Sequence, residues 1–311
     1  MSRLMDKRIL LTGASSGIGV ATAERLAREG ADLALVARGD GLAEAGRLVR
    51  SHGRKAHEIR ADLGDRAELT RALTAALEAL GGLDVAVLNA SVATYGPFKE
   101  IPAEDFDRVV DVTFRSVVDS VRLLLPALEE SSGTLVVTVS GGSKVPIPLM
   151  SAYVASKHAV RGFLDTLRVE LAGERSPVRV AMVHPGPVDT PFFMHAKASA
   201  GWAPAKIYGS YSAQTVARAI VGAAASPRRE VTVGGAMMAF QTVYPLARPL
   251  LEPLIGIGSR AVSRSDGSEG HAGGLHEPSG DGTVGGGMLG RPSVVNELRM
   301  APGRLARALL S

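Results

Sequence analysis

The chain has 311 residues, 46% of them hydrophobic and 21% charged, and its 36 glycines follow no G-X-Y period, which excludes a disordered chain and collagen. It contains no cysteine, which removes disulfides, thiolate metal sites and cysteine nucleophiles, and its 35 Lys and Arg are scattered among 31 acids without a basic run, a poor fit to nucleic acid despite a net charge of +4. A short-loop α/β domain seldom needs more than about 250 residues, so one large domain plus several tens of residues is expected.

The start, MSRLMDKRILLTG, has too short an apolar run for a signal peptide, and no continuous apolar stretch is long enough to span a bilayer; a cytoplasmic location is expected. Ile9–Leu11 reads as the first strand, followed by a Gly-rich turn, helical periodicity over Val20–Arg28 and a second strand at Leu33–Val36. Further strands are expected at Ala56–Arg60, Val85–Leu88, Thr134–Val139, Val178–Val183 and Val231–Val233. Helical stretches lie between them near 41–52, 66–80, 104–128, 152–173 and 212–225. Strands separated by such helices pair in parallel through right-handed crossovers, so the expected fold is α/β, a doubly wound, mostly parallel sheet of about seven strands with helices on both faces. Ligands of such sheets sit at the carboxyl ends of the strands.

After Gly234 the character changes. Residues 236–258 are apolar but carry Pro245, Pro249 and Pro253, which argues against a regular helix. Residues 265–292 hold 10 glycines and read as a loop, and 297–310 reads as a short closing helix. Residues 1–235 are therefore expected to form the one large domain, and 236–311 an extension without an independent core.

Three features carry chemistry. TGASSGIG at 12–19 follows a strand and opens a helix, so Gly13, Gly17 and Gly19 would let the backbone approach a pyrophosphate at a helix N-terminus. The second strand ends in Ala37-Arg38, where a cation suits the 2′-phosphate of NADP better than the free ribose hydroxyls of NAD. Asp62, after the third strand, would accept from the adenine amino group or cap the next helix. Tyr153 and Lys157, four apart on a helix, share a face on which an ammonium lowers a phenol pKa, and Ser140 ends a strand thirteen residues before Tyr153.

TGASSGIG, Ser140, YVASK at 153–157 and PGPVDT at 185–190 together resemble the short-chain dehydrogenase/reductase family over about residues 6–234. The resemblance implies reversible hydride transfer between NAD(P) and an alcohol/carbonyl pair. Tyr153 would be the general acid/base, Lys157 would lower its pKa and hold the nicotinamide ribose, and Ser140 would position the substrate oxygen. The cofactor would be held by the turn (Gly13, Ser15, Ser16, Gly17, Ile18, Gly19), by Arg38, by Asp62 and Leu63 at the adenine, and by Asn89 and Ala90 at its ribose. Pro185, Gly186, Val188 and Thr190 would line the nicotinamide. Members with Arg at the place of Arg38 commonly take NADP, so NADP(H) is the expected cofactor ahead of NAD(H). The family's helices at 104–128 and 152–173 pair in dimers and tetramers, and Val109, Val112, Val117, Val118 and Val121 suit either such an interface or packing on the sheet.

Two departures stand out. The family's N-N-A-G is here Leu88-Asn89-Ala90-Ser91, and its catalytic Asn aligns with Thr113, whose hydroxyl and backbone carbonyl keep it a catalytic candidate through a water relay. They support an alternative, a cofactor-sensing or scaffolding relative with little turnover. His158 reads as packing or surface and His184 as structural; no cluster has metal-ligand spacing, and the chemistry needs no metal. Residues 191–211 would fold over the substrate, with Phe192, Phe193, Met194, Trp202, Tyr208 and Tyr211 suiting a hydrophobic carbonyl compound or, equally, packing on the protein's own core. The 236–258 stretch would cover the substrate channel or a subunit contact, with peripheral membrane attachment less favoured.

Overall fold

Every apolar run read as a strand forms one, with ends displaced by at most two residues. The structure, a computed structural model, describes residues 3–204, 210–263 and 270–287. Tyr208 and the closing helix at 297–310 lie outside the described residues. In chain order the strands are β1 (Arg8–Thr12), β2 (Asp32–Ala37), β3 (Ala56–Arg60), β4 (Val85–Leu88), β5 (Thr94–Tyr95), β6 (Thr134–Thr138), β7 (Arg179–Pro185), β8 (Val188–Asp189), β9 (Lys197–Ala198), β10 (Tyr211–Ser212) and β11 (Glu230–Val233). Seven of them form one parallel sheet in the order β11-β7-β6-β4-β1-β2-β3. The chain runs outward from β1 to β3 and then returns to the other side of β1 with β4, which opens a crevice at the strands' carboxyl ends.

Central strands are apolar on both faces because helices cover both: Ile9, Leu10 and Leu11 are all fully buried. One layer holds α1 (Gly17–Arg28), α2 (Leu42–Ser51) and α7 (Ala213–Ala225), packed on the sheet through Leu26, Val49 and Ile220. The other holds α3 (Arg66–Leu80), α5 (Ser116–Glu130) and α6 (Ser151–Gly173), through Leu73, Leu124 and Leu164. Asp65 caps α3 by accepting from the Ala67 and Glu68 amides. Of the five valines singled out on 104–128, Val109, Val112, Val117 and Val121 are buried within the chain itself.

Two regions differ from expectation. The 104–128 stretch is divided into α4 (Ala103–Val110), a π-helical turn at Asp111–Arg115, and α5. The 236–258 stretch is helical after all: α8 (Gly235–Ser263) contains all three prolines and is broken at Ala247, whose φ of -127° and ψ of 24° leave the helical region. The break puts Pro249 in the first turn of the second segment, where an N–H has no helical acceptor to lose. Leu246, Leu250, Leu254 and Ile257 of α8 are exposed, and no helix among the described residues is long and apolar enough to cross a membrane.

Candidate active site

The glycine turn is shaped by contacts no side chain would permit. Gly13 and Gly17 have positive φ of 69° and 54°, and a Cβ on Gly19 would lie 1.9 Å from the Gly13 carbonyl oxygen. A Cβ on Gly13 would come within 2.8 Å of the Ala90 Cα, so the turn packs directly on the segment after β4. That segment is tied down by the Thr12 hydroxyl, which accepts from the amides of Asn89 (3.0 Å) and Ala90 (3.3 Å), while the Asn89 side chain donates to the Gly13 carbonyl. The loss of one amide in Leu88-Asn89-Ala90-Ser91 thus leaves the contact with the turn in place. Gly17 sits against Thr190, bringing PGPVDT to the turn, and Gly186 donates to the Val233 carbonyl at 2.8 Å.

At the other end of the crevice, Ser140 follows β6 and caps a short 3-10 turn, its hydroxyl accepting from the Gly142 amide at 3.0 Å. Tyr153 and Lys157 project from the first turns of α6 and are both buried. Burial pushes the Tyr153 phenol up to about 12, against the pull of its hydrogen bond with Ser140. Burial pushes Lys157 down to about 7, and its ammonium donates to the Thr138 carbonyl at 2.9 Å. The lowering of the phenol expected from the lysine is not found: burial is the largest influence on both groups, and only Ser140 pulls the phenol down. Behind Ser140, the Ser143 hydroxyl donates to the Ser140 carbonyl at 2.7 Å, and His184 Nδ1 lies 3.0 Å from Ser143 Oγ and 3.2 Å from that carbonyl. His184 is fully enclosed, and burial holds its pKa well below the usual range, so it is a neutral brace for the Ser140 turn. His158 is exposed and bonded to the Val154 carbonyl of its own helix.

Thr113 lies in the π-helical turn, and its hydroxyl both donates to the Val92 carbonyl and accepts from the Val92 amide, each at 3.2 Å. These bonds point it at the β4–β5 connection, whereas the Lys157 ammonium is bonded to Thr138.

Arg38 and Asp62 meet at 3.1 Å, and Arg108 joins them at 2.5 Å from the same carboxylate oxygen. Burial raises the Asp62 pKa, but the bonds from Arg108 and the Gly64 amide outweigh it and hold the carboxyl below its usual range. The helix cap is Asp65, so the capping role offered for Asp62 belongs to its neighbour.

One continuous cavity of roughly 390 Å³ is lined by Arg38 and Asp62 at one end, Gly13 and Gly17 along its floor, and Tyr153 and Lys157 at the other. Ser15, Ser16, Ile18, Leu63, Asn89, Ala90, Pro185, Gly186, Val188 and Thr190 also line it, so of the residues singled out in the sequence for the cofactor only Gly19 acts from behind the wall, by its fit against Gly13. Phe192 and Phe193 line the cavity, Phe192 packing on Tyr153 with ring centres 5.3 Å apart. Met194 faces outward, and Tyr211 is a core residue whose hydroxyl accepts from the Gly235 amide, so neither forms a substrate wall, and for Tyr211 the other reading, packing on the protein's own core, is the one found. The cavity has two contributors the sequence did not indicate individually. Met237, Ser259 and Ser263 of α8 form part of the wall, Ser263 bonding the Tyr95 hydroxyl at 2.7 Å. Gly274 and Ser279 of the Gly-rich segment lie over its Arg38 end.

A long crevice with a glycine cradle, a cation at one end and a buried phenol at the other fits an extended dinucleotide, and a doubly wound sheet carrying it belongs among the Rossmann-fold oxidoreductases. A family model described as short chain dehydrogenase matches residues 7–201. The chain belongs to the short-chain dehydrogenase/reductase family. It is 31% identical over 259 residues to an uncharacterized oxidoreductase, YxnA, of Bacillus subtilis, covering 82% of this chain and 73% of that one. Among solved structures it is similar to a short chain dehydrogenase/reductase from Burkholderia phymatum in complex with NAD, with a TM-score of 0.71, 27% identity, and coverage of 81% of this chain and 97% of that one. It is also similar to an alcohol dehydrogenase from Thermococcus sibiricus complexed with 5-hydroxy-NADP, with a TM-score of 0.65, 29% identity, and coverage of 73% and 95%.

Proposed function

We propose that the protein is an NADP(H)-dependent oxidoreductase that interconverts the alcohol and carbonyl forms of a hydrophobic small molecule. The observation that carries this reading is the placement of Ser140, Tyr153 and Lys157 on one cavity with Arg38 and the glycine turn. When bound, the nicotinamide supplies or accepts the hydride. Ser140 holds the substrate oxygen, and Tyr153 delivers a proton to that oxygen in reduction and removes it in oxidation. A phenol held near 12 is fully protonated at neutral pH, which favours its acid role, and Lys157 charges as a polyanionic ligand enters. Arg38 is the group suited to a 2′-phosphate, and Phe192, Phe193 and Met237 make the reacting end apolar. Both NAD and an NADP derivative occur in the similar solved structures, so the preference rests on Arg38. A cytoplasmic address and a homodimer or homotetramer complete the reading; a monomer by light scattering would remove the latter.

A panel of ketones and aldehydes with NADPH tests it. The wild type should turn over fastest with apolar carbonyl compounds, and Tyr153→Phe should slow turnover by about 10³-fold. Equal rates for the two proteins would reject Tyr153 as acid/base. A second reading, a cofactor-binding relative with little turnover, is favoured by the engagement of the Thr113 hydroxyl with Val92. Binding of NADPH without turnover of any carbonyl compound would select it.

A further inference from the structure

The Gly-rich segment 270–287 lies over the adenosine end of the cleft, and its main chain takes the donors found there. Arg38 Nη2 donates to the Gly274 carbonyl at 2.5 Å and Nη1 to the His276 carbonyl at 2.8 Å, with the Leu275 carbonyl 3.4 Å from both nitrogens. Arg108 Nε donates to the same Leu275 carbonyl at 3.2 Å. The Gly17 amide, first in α1, donates to the Thr283 carbonyl at 2.8 Å, and the Gly41 amide before α2 donates to the Gly280 carbonyl at 2.8 Å. Two guanidinium groups and two amides at helix starts are donors suited to an anion, and here they meet five carbonyl oxygens of the chain itself.

The segment is fastened outside the donor cluster. His276 bonds the buried Asp105 carboxylate at 2.7 Å, Leu275 is fully buried, and the amides of Gly286 and Gly287 donate to Asp189. It can lie this close because it is glycine. A Cβ on Gly280, whose φ is 105°, would lie 2.9 Å from Ser15 Oγ.

We propose that residues 270–287 are a strap that competes with the 2′-phosphate of NADP(H) for Arg38 and thereby sets discrimination between NADP(H) and NAD(H). A phosphate dianion makes stronger charge-assisted bonds to a guanidinium than neutral carbonyls do, so it displaces the strap. A 2′-hydroxyl has no such advantage, and Arg38 stays with Gly274 and His276 when NAD(H) is present. This rests on the reading of Arg38 as the phosphate ligand.

The test measures NADPH and NADH dissociation constants by calorimetry for the full-length wild type, Gly280→Val and Arg38→Ala, and follows amide hydrogen exchange of the wild-type strap with each cofactor. Gly280→Val, which cannot seat the strap, frees the Gly17 amide for the pyrophosphate of either cofactor and Arg38 for the 2′-phosphate alone, so both should bind more tightly, with the gain for NADPH at least about tenfold larger than the gain for NADH; equal gains overturn the proposal. In the wild type, saturating NADPH should speed exchange at Gly282, Gly286 and Gly287 more than saturating NADH does. Unchanged or slower exchange with NADPH overturns the proposal even if the variant misfolds, as does unchanged or weaker NADPH binding by a folded Gly280→Val. Arg38→Ala separates the two ideas: if it leaves NADPH affinity unchanged, the phosphate reading itself fails. If it weakens NADPH alone while the strap does not respond, only the strap proposal fails.

Discussion

The two ends of the cavity are built on opposite terms. At the reacting end, the polar groups are buried on rigid elements, β6 and the start of α6, and are braced from behind by Ser143 and His184. At the adenosine end, the donors lie at helix starts and on Arg38, and they are already bonded to the chain's own carbonyls. Burial sets the properties of the first end, as the opposite shifts of Tyr153 and Lys157 show; at the second, a ligand would have to replace hydrogen bonds already made. Chemistry and recognition should therefore be separable by mutation.

The largest effect that would sharpen this division is expected at the turn. A methyl group at position 19 would lie 1.9 Å from the Gly13 carbonyl oxygen and 2.9 Å from the Ala14 Cα, contacts only backbone movement relieves. Gly19→Ala should lose about 1–3 kcal/mol of stability from overpacking and bind NADPH at least about 100-fold more weakly, read by thermal unfolding and calorimetry. Unaltered affinity would mean the turn is not part of the recognition end.

The uneven legibility of the two ends follows from the same contrast. The strands were readable because central parallel strands are continuous apolar runs, and Tyr153 and Lys157 because helical spacing is local. Arg38 was visible as a cation at a strand end, but its partners, at 274–276, lie more than 230 positions away and contribute carbonyls, which carry no side-chain signature. The strap works through main-chain bonds and the absence of Cβ atoms, so the composition that makes it fit is the composition of an unpatterned loop. In α8, three prolines argue against a regular helix; the break at Ala247 accommodates Pro249, while Pro245 and Pro253 lie inside the segments on either side.

At the reacting end, Lys157 offers a test through pH. Its folded pKa of about 7 lies below the unfolded value near 10.5, so between these values the unfolded chain holds a proton that the folded chain lacks. Folding stability from this group therefore rises with pH across that window, by about 1.4 kcal/mol per unit at most. Denaturant unfolding of wild type and Lys157→Met between pH 7 and pH 10 should show that slope only in the wild type. Parallel curves would show that the ammonium is not desolvated as the fold implies.

The smallest expected effect on turnover is at Thr113, and it decides whether a proton relay runs from Lys157 through the Thr113 hydroxyl. Its hydroxyl bonds both the amide and the carbonyl of the half-buried Val92, so Thr113→Val, which keeps the shape, takes this partner from two backbone groups. That should reduce stability by about 1–3 kcal/mol. Because neither bond leads to Tyr153 or Lys157, kcat at a temperature where the variant is folded should fall less than threefold, with the pH dependence of kcat unchanged. A hydroxyl that passed protons would give the reverse pattern, near-native stability with a large loss of kcat and a shifted pH profile. The reacting end would then extend through the π-helical turn, and the wall between it and the β4–β5 connection would have to be redrawn as part of the catalytic machinery.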